Sequence, residues 1–240
     1  MKKIGFFLFL LPCFCYSQTP KEIIDKYIRA IGGRENIEKI KDYTEKRIQT
    51  TKTLDSLDNP VDYKVEHVIF KKTPNKFLTL FNTISNATIE SERTVFDGKT
   101  LKMYNSKGVP QLQDTVNLGI EDIFAYYIDS HIVPEIYYEE LGLHLTLLGV
   151  EKVNDKKAYK IEVNFKGVKW SEYYEKDSGL KVRRSYIYNK HNVFNLDYLD
   201  YQVFSGVKFA TNVNVEKGKP IKFQNIYINT GIQDFFFEIK

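Results

Sequence analysis

The chain has 240 residues, 28% of them charged and 42% apolar, with 35 basic against 31 acidic side chains for a formal net charge of +4. That surplus is too small for a nucleic-acid binder, which concentrates basic residues on a strongly basic domain. The 17 Phe, 17 Tyr and single Trp exclude disorder and favour strands with much apolar area to bury.

Residues 1–17 read as an export signal, to be removed. Lys2 and Lys3 precede the apolar run Ile4 to Leu11, Pro12 breaks it, and Cys15-Tyr16-Ser17 sets small residues three before and one before a cut ahead of Gln18. The run is far short of the roughly 20 residues that span a bilayer. A retained anchor and lipidation at Cys13 or Cys15 are the alternatives. Both cysteines lie in this segment, so the mature chain, 18–240, is expected to hold no disulfide and no thiolate metal site, and its net charge falls by the two lysines to +2.

The mature chain opens on a capping box. Thr19-Pro20-Lys21-Glu22 predicts a helix start, Ile23, Ile24, Tyr27, Ile28 and Ile31 recur at helical spacing, and Gly32-Gly33 stops the helix. A short second helix is expected from Arg34 to Ile40. From Tyr43 the period becomes two: Val61, Tyr63, Val65, His67 and Ile69 alternate with charged residues, and strands follow over 77–82, 87–96 and 100–104, with Asp97-Gly98 as a hairpin turn. Asn105 to Pro110 reads as a loop. Helical spacing returns at Ile120, Ile123, Phe124, Tyr127 and Ile128; Pro134 interrupts it, and Glu135 to Leu141 reads as a further helix. Strands complete the chain, turning at Asn154-Asp155, Asp177-Ser178-Gly179 and Ser205-Gly206, with Phe235 to Ile239 as the last. The expected fold is mainly β: one domain over 18–240, a single curled antiparallel sheet of ten or eleven strands forming an incomplete barrel, covered by helices.

Residues that carry chemistry do not gather in the sequence. His67, His131, His144 and His191 fall in no zinc motif, and there is no G-x-S-x-G, P-loop or G-x-G-x-x-G pattern. No metal or cofactor is expected. His131 and Glu135 are four apart but separated by Pro134. His67 reads as a core or cavity-wall histidine, Glu139-Glu140 as a solvated surface pair, and Asn86-Ala87-Thr88 as a chance glycosylation match. Hydrolysis would require His67, His131 or His144 to meet a carboxylate or hydroxyl in a pocket. Continuous apolar strand faces instead offer either a filled core or the wall of a cavity for a hydrophobic ligand.

Two segments carry a resemblance. Phe70-Lys71-Lys72-Thr73-Pro74-Asn75-Lys76-Phe77 and Val95-Phe96-Asp97-Gly98-Lys99-Thr100-Leu101-Lys102-Met103-Tyr104-Asn105 resemble the periplasmic outer-membrane lipoprotein carriers, the LolA family. The helical insert and Phe235 to Phe237 follow in the family's order. Ile24-Asp25-Lys26-Tyr27, Ala30-Ile31-Gly32-Gly33 and Ser205-Gly206-Val207-Lys208-Phe209 resemble a divergent branch. The resemblance implies an incomplete barrel closed by helices that shields acyl chains of a lipoprotein or lipid on the way to the outer membrane, without cofactor or catalysis. It further implies a periplasmic location, an inner-membrane donor complex and an outer-membrane acceptor as partners; no nucleic acid and a monomeric chain are expected. The cavity wall is assigned to Val65, Ile69, Phe77, Met103, Phe165 and Phe209. The lid is assigned to Ile23, Ile24, Tyr27 and Ile28 with Ile120, Ile123, Phe124 and Tyr127, and the lid is expected to be the weakly held element. The family's arginine before Pro-Asn is replaced here by Thr73, and Lys72 beside it faces the other side of the strand. A non-transport envelope binding or sensor protein on the same scaffold is the alternative reading.

Overall fold

The computed structural model describes residues 18–54, 60–85, 88–111, 127–188, 192–215 and 221–239. Residues 1–17, read above as an export signal, and Ile120, Ile123, Phe124 and His191 therefore lie outside the described residues.

Helix α1 (Pro20–Ala30) starts as its sequence dictates. The Thr19 side chain accepts from the Glu22 backbone N–H, and the Glu22 carboxylate accepts from the Thr19 N–H at 2.7 Å. Ile23, Ile24, Tyr27 and Ile28 are buried along one face. Burial of each such side chain contributes roughly 1.5–3 kcal/mol, whereas the exposed Lys21–Asp25 pair adds little. The apolar face therefore decides where α1 sits. Helix α2 (Arg34–Glu38) follows and buries Ile37.

Thirteen antiparallel strands make up most of the remaining described residues. They are β1 (Asp42–Leu54), β2 (Pro60–Lys72), β3 (Lys76–Ser85), β4 (Thr88–Phe96), β5 (Leu101–Tyr104), β6 (Pro110–Gln111), β7 (His144–Val153), β8 (Lys156–Phe165), β9 (Val168–Glu175), β10 (Lys181–Tyr188), β11 (Asn192–Phe204), β12 (Val207–Val215) and β13 (Ile221–Ile228). Their order is β6-β5-β4-β3-β2-β1-β13-β12-β11-β10-β9-β8-β7. The β12–β13 seam holds only two residue pairs, Asn212 with Lys222 and Val213 with Ile221, so the order divides there into two antiparallel sheets. The barrel does not close.

Five expectations are corrected. Thirteen strands stand where ten or eleven were expected, and two sheets joined at a narrow seam stand where one was expected. Pro110, read as the end of a loop, begins the two-residue strand β6. Glu135 to Leu141 is not an α-helix: residues 127–129 are helical, and a 3₁₀ turn over Pro134–Tyr137 follows before the chain turns back at Gly142. Glu135 and Tyr138 are drawn into the sheet's concave face to meet Lys181 and Glu172, which favours a short turn over a continued helix. Phe235 to Ile239 is not a strand but a 3₁₀ turn, Asp234–Phe237. Lys72 and Lys76 both hold the Asp234 carboxylate, and Phe237 enters the core beside Leu78 and Val95.

The turns at Asp97-Gly98, Asn154-Asp155 and Ser205-Gly206 occur where the sequence sets them. Asn154, Asp155 and Ser205 adopt φ of 46°, 66° and 49°. Short polar side chains tolerate this left-handed conformation better than apolar branched ones.

The main core lies between α1, α2, the insert 127–143 and the concave faces of β8 and β9, with Ile161, Val163, Trp170 and Tyr174 beneath the helices. Gly32 locks this layer to the β11–β12 hairpin. Its φ is +128°, and a Cβ there would stand 2.2 Å from the Gly206 carbonyl oxygen. The Lys208 N–H donates to the Ile31 carbonyl at 2.7 Å across the same junction.

Candidate functional site

A cavity of about 440 Å³ opens on the concave side between the two sheets. One wall comes from β1 to β3: Tyr43, Glu45, Arg47, His67, Ile69, Lys71, Phe77 and Thr79. The opposite wall comes from β10 to β12: Lys181, Arg184, Tyr186, Leu196, Tyr198, Tyr201, Phe209 and Val213. Tyr27 and Ile31 of α1, with Asp129 and Ile132 to Glu135 of the insert, form the roof. Its size falls within the few hundred Å³ typical of sites for one small ligand.

The expected wall residues divide. Ile69, Phe77 and Phe209 line the cavity, with the Phe209 ring tilted against Tyr43 at 4.9 Å between centroids. Val65 shares a strand face with His67, Ile69 and Lys71 but lies beyond the cavity along β2. Met103 opposes Thr94, which opposes Thr79, so it faces the same side several strands outward. Phe165 is buried under the insert, its ring stacked on Tyr127 at 6.2 Å.

Among the expected lid residues, Tyr27 lines the cavity, while Ile23, Ile24 and Ile28 pack in the core. Tyr127 also meets Phe96 edge-on at 6.1 Å, so it spans from β8 to β4. The Lys26 ammonium donates to the Lys176 carbonyl, and Arg34 donates to the Ile136 carbonyl at 2.8 Å. The described part of the roof is thus held by polar bonds as well as by apolar burial.

The sequence reading missed a buried ionic cluster beneath the roof. Glu172 is fully buried. Its Oε1 accepts from the Tyr138 hydroxyl at 2.9 Å, Trp170 Nε1 at 3.2 Å and Arg184 Nε at 3.0 Å, with Lys181 Nζ at 3.3 Å; its Oε2 accepts from the Tyr174 hydroxyl. Lys181 also binds Glu135 of the insert, and Arg184 binds Asp129 at 2.8 Å. The Lys181 ammonium lies within 5.9 Å of the ring centroids of Tyr27, Tyr174 and Tyr198, a cation–π arrangement. Burial alone would raise the Glu172 carboxyl, but Lys181 and Arg184, with the two tyrosine hydroxyls, hold it at about 2.

A backbone irregularity builds the cluster. Lys181 and Arg184 are three apart, which on a regular strand sets them on opposite faces. A register shift between Lys181 and Arg183 pairs Lys181 with Tyr174 and Arg184 with Glu172, so both point inward. The legible signal was Glu172 itself, in period with Trp170 and Tyr174 on an aromatic strand face.

On the opposite wall, Glu45 accepts from the Tyr43 hydroxyl and from Arg47. Burial, then the nearby Arg47 charge, pulls His67 down to about 4. The Lys71 ammonium donates to the His131 carbonyl at 3.0 Å, joining β2 to the insert. Lys72 points outward to the Ile232 carbonyl and Asp234, and Thr73 donates to the Lys41 carbonyl at the strand end. The inward cation of this segment is therefore Lys71, two residues ahead of Thr73.

The three described histidines do not form a hydrolytic set. His131 Nδ1 lies 3.3 Å from the Ile128 carbonyl, His144 is exposed on β7, and His67 meets the Phe81 ring edge-on at 6.0 Å. No histidine is hydrogen-bonded to a carboxylate, and no metal-binding cluster occurs, among the described residues. Glu139 and Glu140 are exposed, as their sequence position suggests.

No family model matches the sequence, and no curated protein matches it. Solved structures do match its fold. A DUF1329 family protein from Desulfovibrio piger aligns at a TM-score of 0.53 and 15% identity, covering 91% of this chain and 96% of that one. A domain described as an outer membrane lipoprotein-sorting protein, from Vibrio parahaemolyticus, aligns at 0.55 and 11%, covering 89% and 97%. The resemblance seen in the two sequence segments thus holds at the level of the fold: an open, mostly antiparallel β structure with a few covering helices. No helix among the described residues is long and apolar enough to cross a membrane.

Proposed function

We propose that the chain is a non-enzymatic lipid- or lipoprotein-binding protein of the bacterial envelope, exported by residues 1–17, that shields the apolar part of one ligand in the cavity between its sheets. The observation that carries this reading is the cavity itself. Ile69, Phe77, Phe209 and Val213 supply apolar wall in a water-accessible cleft, and α1 and the insert cover it. Each methylene buried there contributes about 0.8 kcal/mol, so one acyl chain binds without catalytic groups. The fold shared with a lipoprotein-sorting domain supports the same reading.

Native mass spectrometry of residues 18–240, purified without detergent, tests it. A bound amphiphile, or uptake of an added one such as methyl dodecanoate, is expected, with loss in Phe209→Glu. Only apo protein before and after incubation overturns the reading.

A second reading is favoured by the ties on the roof. Asp129, Glu135 and Tyr138 of the insert bond to buried Arg184, Lys181 and Glu172. Such anchoring suits a module that holds its ligand rather than one that passes it on. Transfer of bound lipid to acceptor vesicles within minutes supports the carrier; retention supports the module.

A further inference from the structure

The cations around the cavity are not alike in their partners. Arg47 meets Glu45, Lys181 meets Glu135 and Glu172, and Arg184 meets Asp129 and Glu172. Lys208 is exposed. Lys71 differs: its ammonium makes one bond, to the His131 carbonyl at 3.0 Å, and no carboxylate lies within ion-pair distance among the described residues. An ammonium carries three N–H donors, so among the described residues two remain without a protein acceptor in the wall of a cavity. Lys71 is half-buried and lines the cavity, so its ammonium sits where a ligand reaches it.

Its surroundings specify the partner. Lys71 opposes Phe77 on β3 and lies two residues from Ile69 on its own strand face, so the ammonium marks the boundary between apolar wall and charged cluster. That boundary suits a molecule with a long apolar part and one anionic end. Asp129 and Glu45 are the nearby carboxylates. Arg184 holds the first, and Tyr43 and Arg47 hold the second. Both remain negative neighbours, which a doubly charged phosphate tolerates less well than a singly charged carboxylate. We infer that Lys71 is the headgroup site for a single-chain carboxylate amphiphile of the fatty-acid class, whose chain runs along Ile69 and Phe77. This inference rests on the ligand-binding reading above and adds the chemistry of the ligand's polar end. Burial, the largest influence on Lys71, lowers its proton affinity, and an arriving carboxylate opposes that change.

Calorimetry with three probes sharing one chain tests the assignment: dodecanoate, methyl dodecanoate and dodecyl phosphate. At neutral pH the native protein is expected to bind dodecanoate about tenfold more tightly than its methyl ester, the gain of one charge-assisted contact. Lys71→Gln keeps a donor for the His131 carbonyl but removes the charge; it is expected to abolish the preference, the acid then binding no more tightly than the ester. Lys71→Arg is expected to retain the preference. Equal binding of acid and ester by the native protein overturns the inference and leaves the cavity reading standing, as does a preference that survives Lys71→Gln. Tightest binding of dodecyl phosphate, lost in Lys71→Gln, overturns the carboxylate assignment in favour of a phosphate head. Binding of none of the three overturns the cavity reading and the inference together. The acid–ester comparison uses the native chain, so it decides the preference even if a variant fails to fold.

Discussion

Glu172 gathers the polar groups of the interior around one buried carboxylate. Its two oxygens accept from two tyrosines, one tryptophan and one arginine, with a lysine adjacent. Removing one charge from such a cluster leaves the others buried and uncompensated. Glu172→Gln should therefore cost about 3 kcal/mol, read as a lower urea midpoint at constant slope. His67 sets an acid limit. Its proton affinity falls from 6.5 in the open chain to about 4 in the fold. Stability from this group is complete above pH 6.5 and is lost as pH falls toward 4, because the unfolded chain takes up the proton first. The loss amounts to roughly 3 kcal/mol at most. His67→Gln should flatten the urea midpoint across that window; a slope as steep as in the native chain assigns the acid sensitivity to other groups. Glu172, held at about 2, adds its own loss only below about pH 4.5.

At the scale of elements, the α1–α2 turn and the β11–β12 hairpin form one joint. A Cβ at residue 32 meets backbone that cannot move aside, and φ of +128° disfavours any side chain. Gly32→Ala should cost more than about 2 kcal/mol, and Gly33→Ala should cost less, because nothing lies within 4 Å of a Cβ there. Paired thermal melts check the contrast. These local features show what sequence patterns reach. The capping box, the apolar stripe of α1 and the turns at Asp97-Gly98 and Ser205-Gly206 are written in adjacent residues, and they were legible. Ile69, Phe77 and Phe209 were expected on the wall and do line the cavity, although alternation breaks at Val68 to Phe70 and their direction depended on register. The ionic cluster was not legible, because a shift of one residue in β10 turns Lys181 and Arg184 to the same face. Lys71 was hidden for another reason: its partner, the His131 carbonyl, lies 60 residues away. The final aromatic run reads as a strand until Asp234 meets Lys72 and Lys76 across the molecule.

The whole molecule is two sheets sharing a narrow seam. Thirteen residue pairs join β1 to β2, but two join β12 to β13. Amide hydrogens at 212–213 and 221–222 should exchange faster than those at 43–48, and ligand should slow the seam if the cavity closes on it. Exchange at the seam as slow as in β1 would show that the sheets are braced elsewhere. Among the described residues the open order also leaves two outer strands. A free strand edge invites pairing with a further chain. The first outer strand, β6, is two residues long and begins with Pro110, which offers no N–H. The second, β7, carries an extra residue: Leu147 pairs with Ile161 and Gly149 with Lys160, leaving Leu148 between them unpaired, with Gly149 at φ +123°. That kink spoils the straight template on which fibrils grow. An open cleft leaves the barrel unclosed, and an unclosed barrel exposes its rims to neighbouring molecules. Deleting Leu148 would straighten one rim, and the expected result is polymerisation of a chain whose interior is intact.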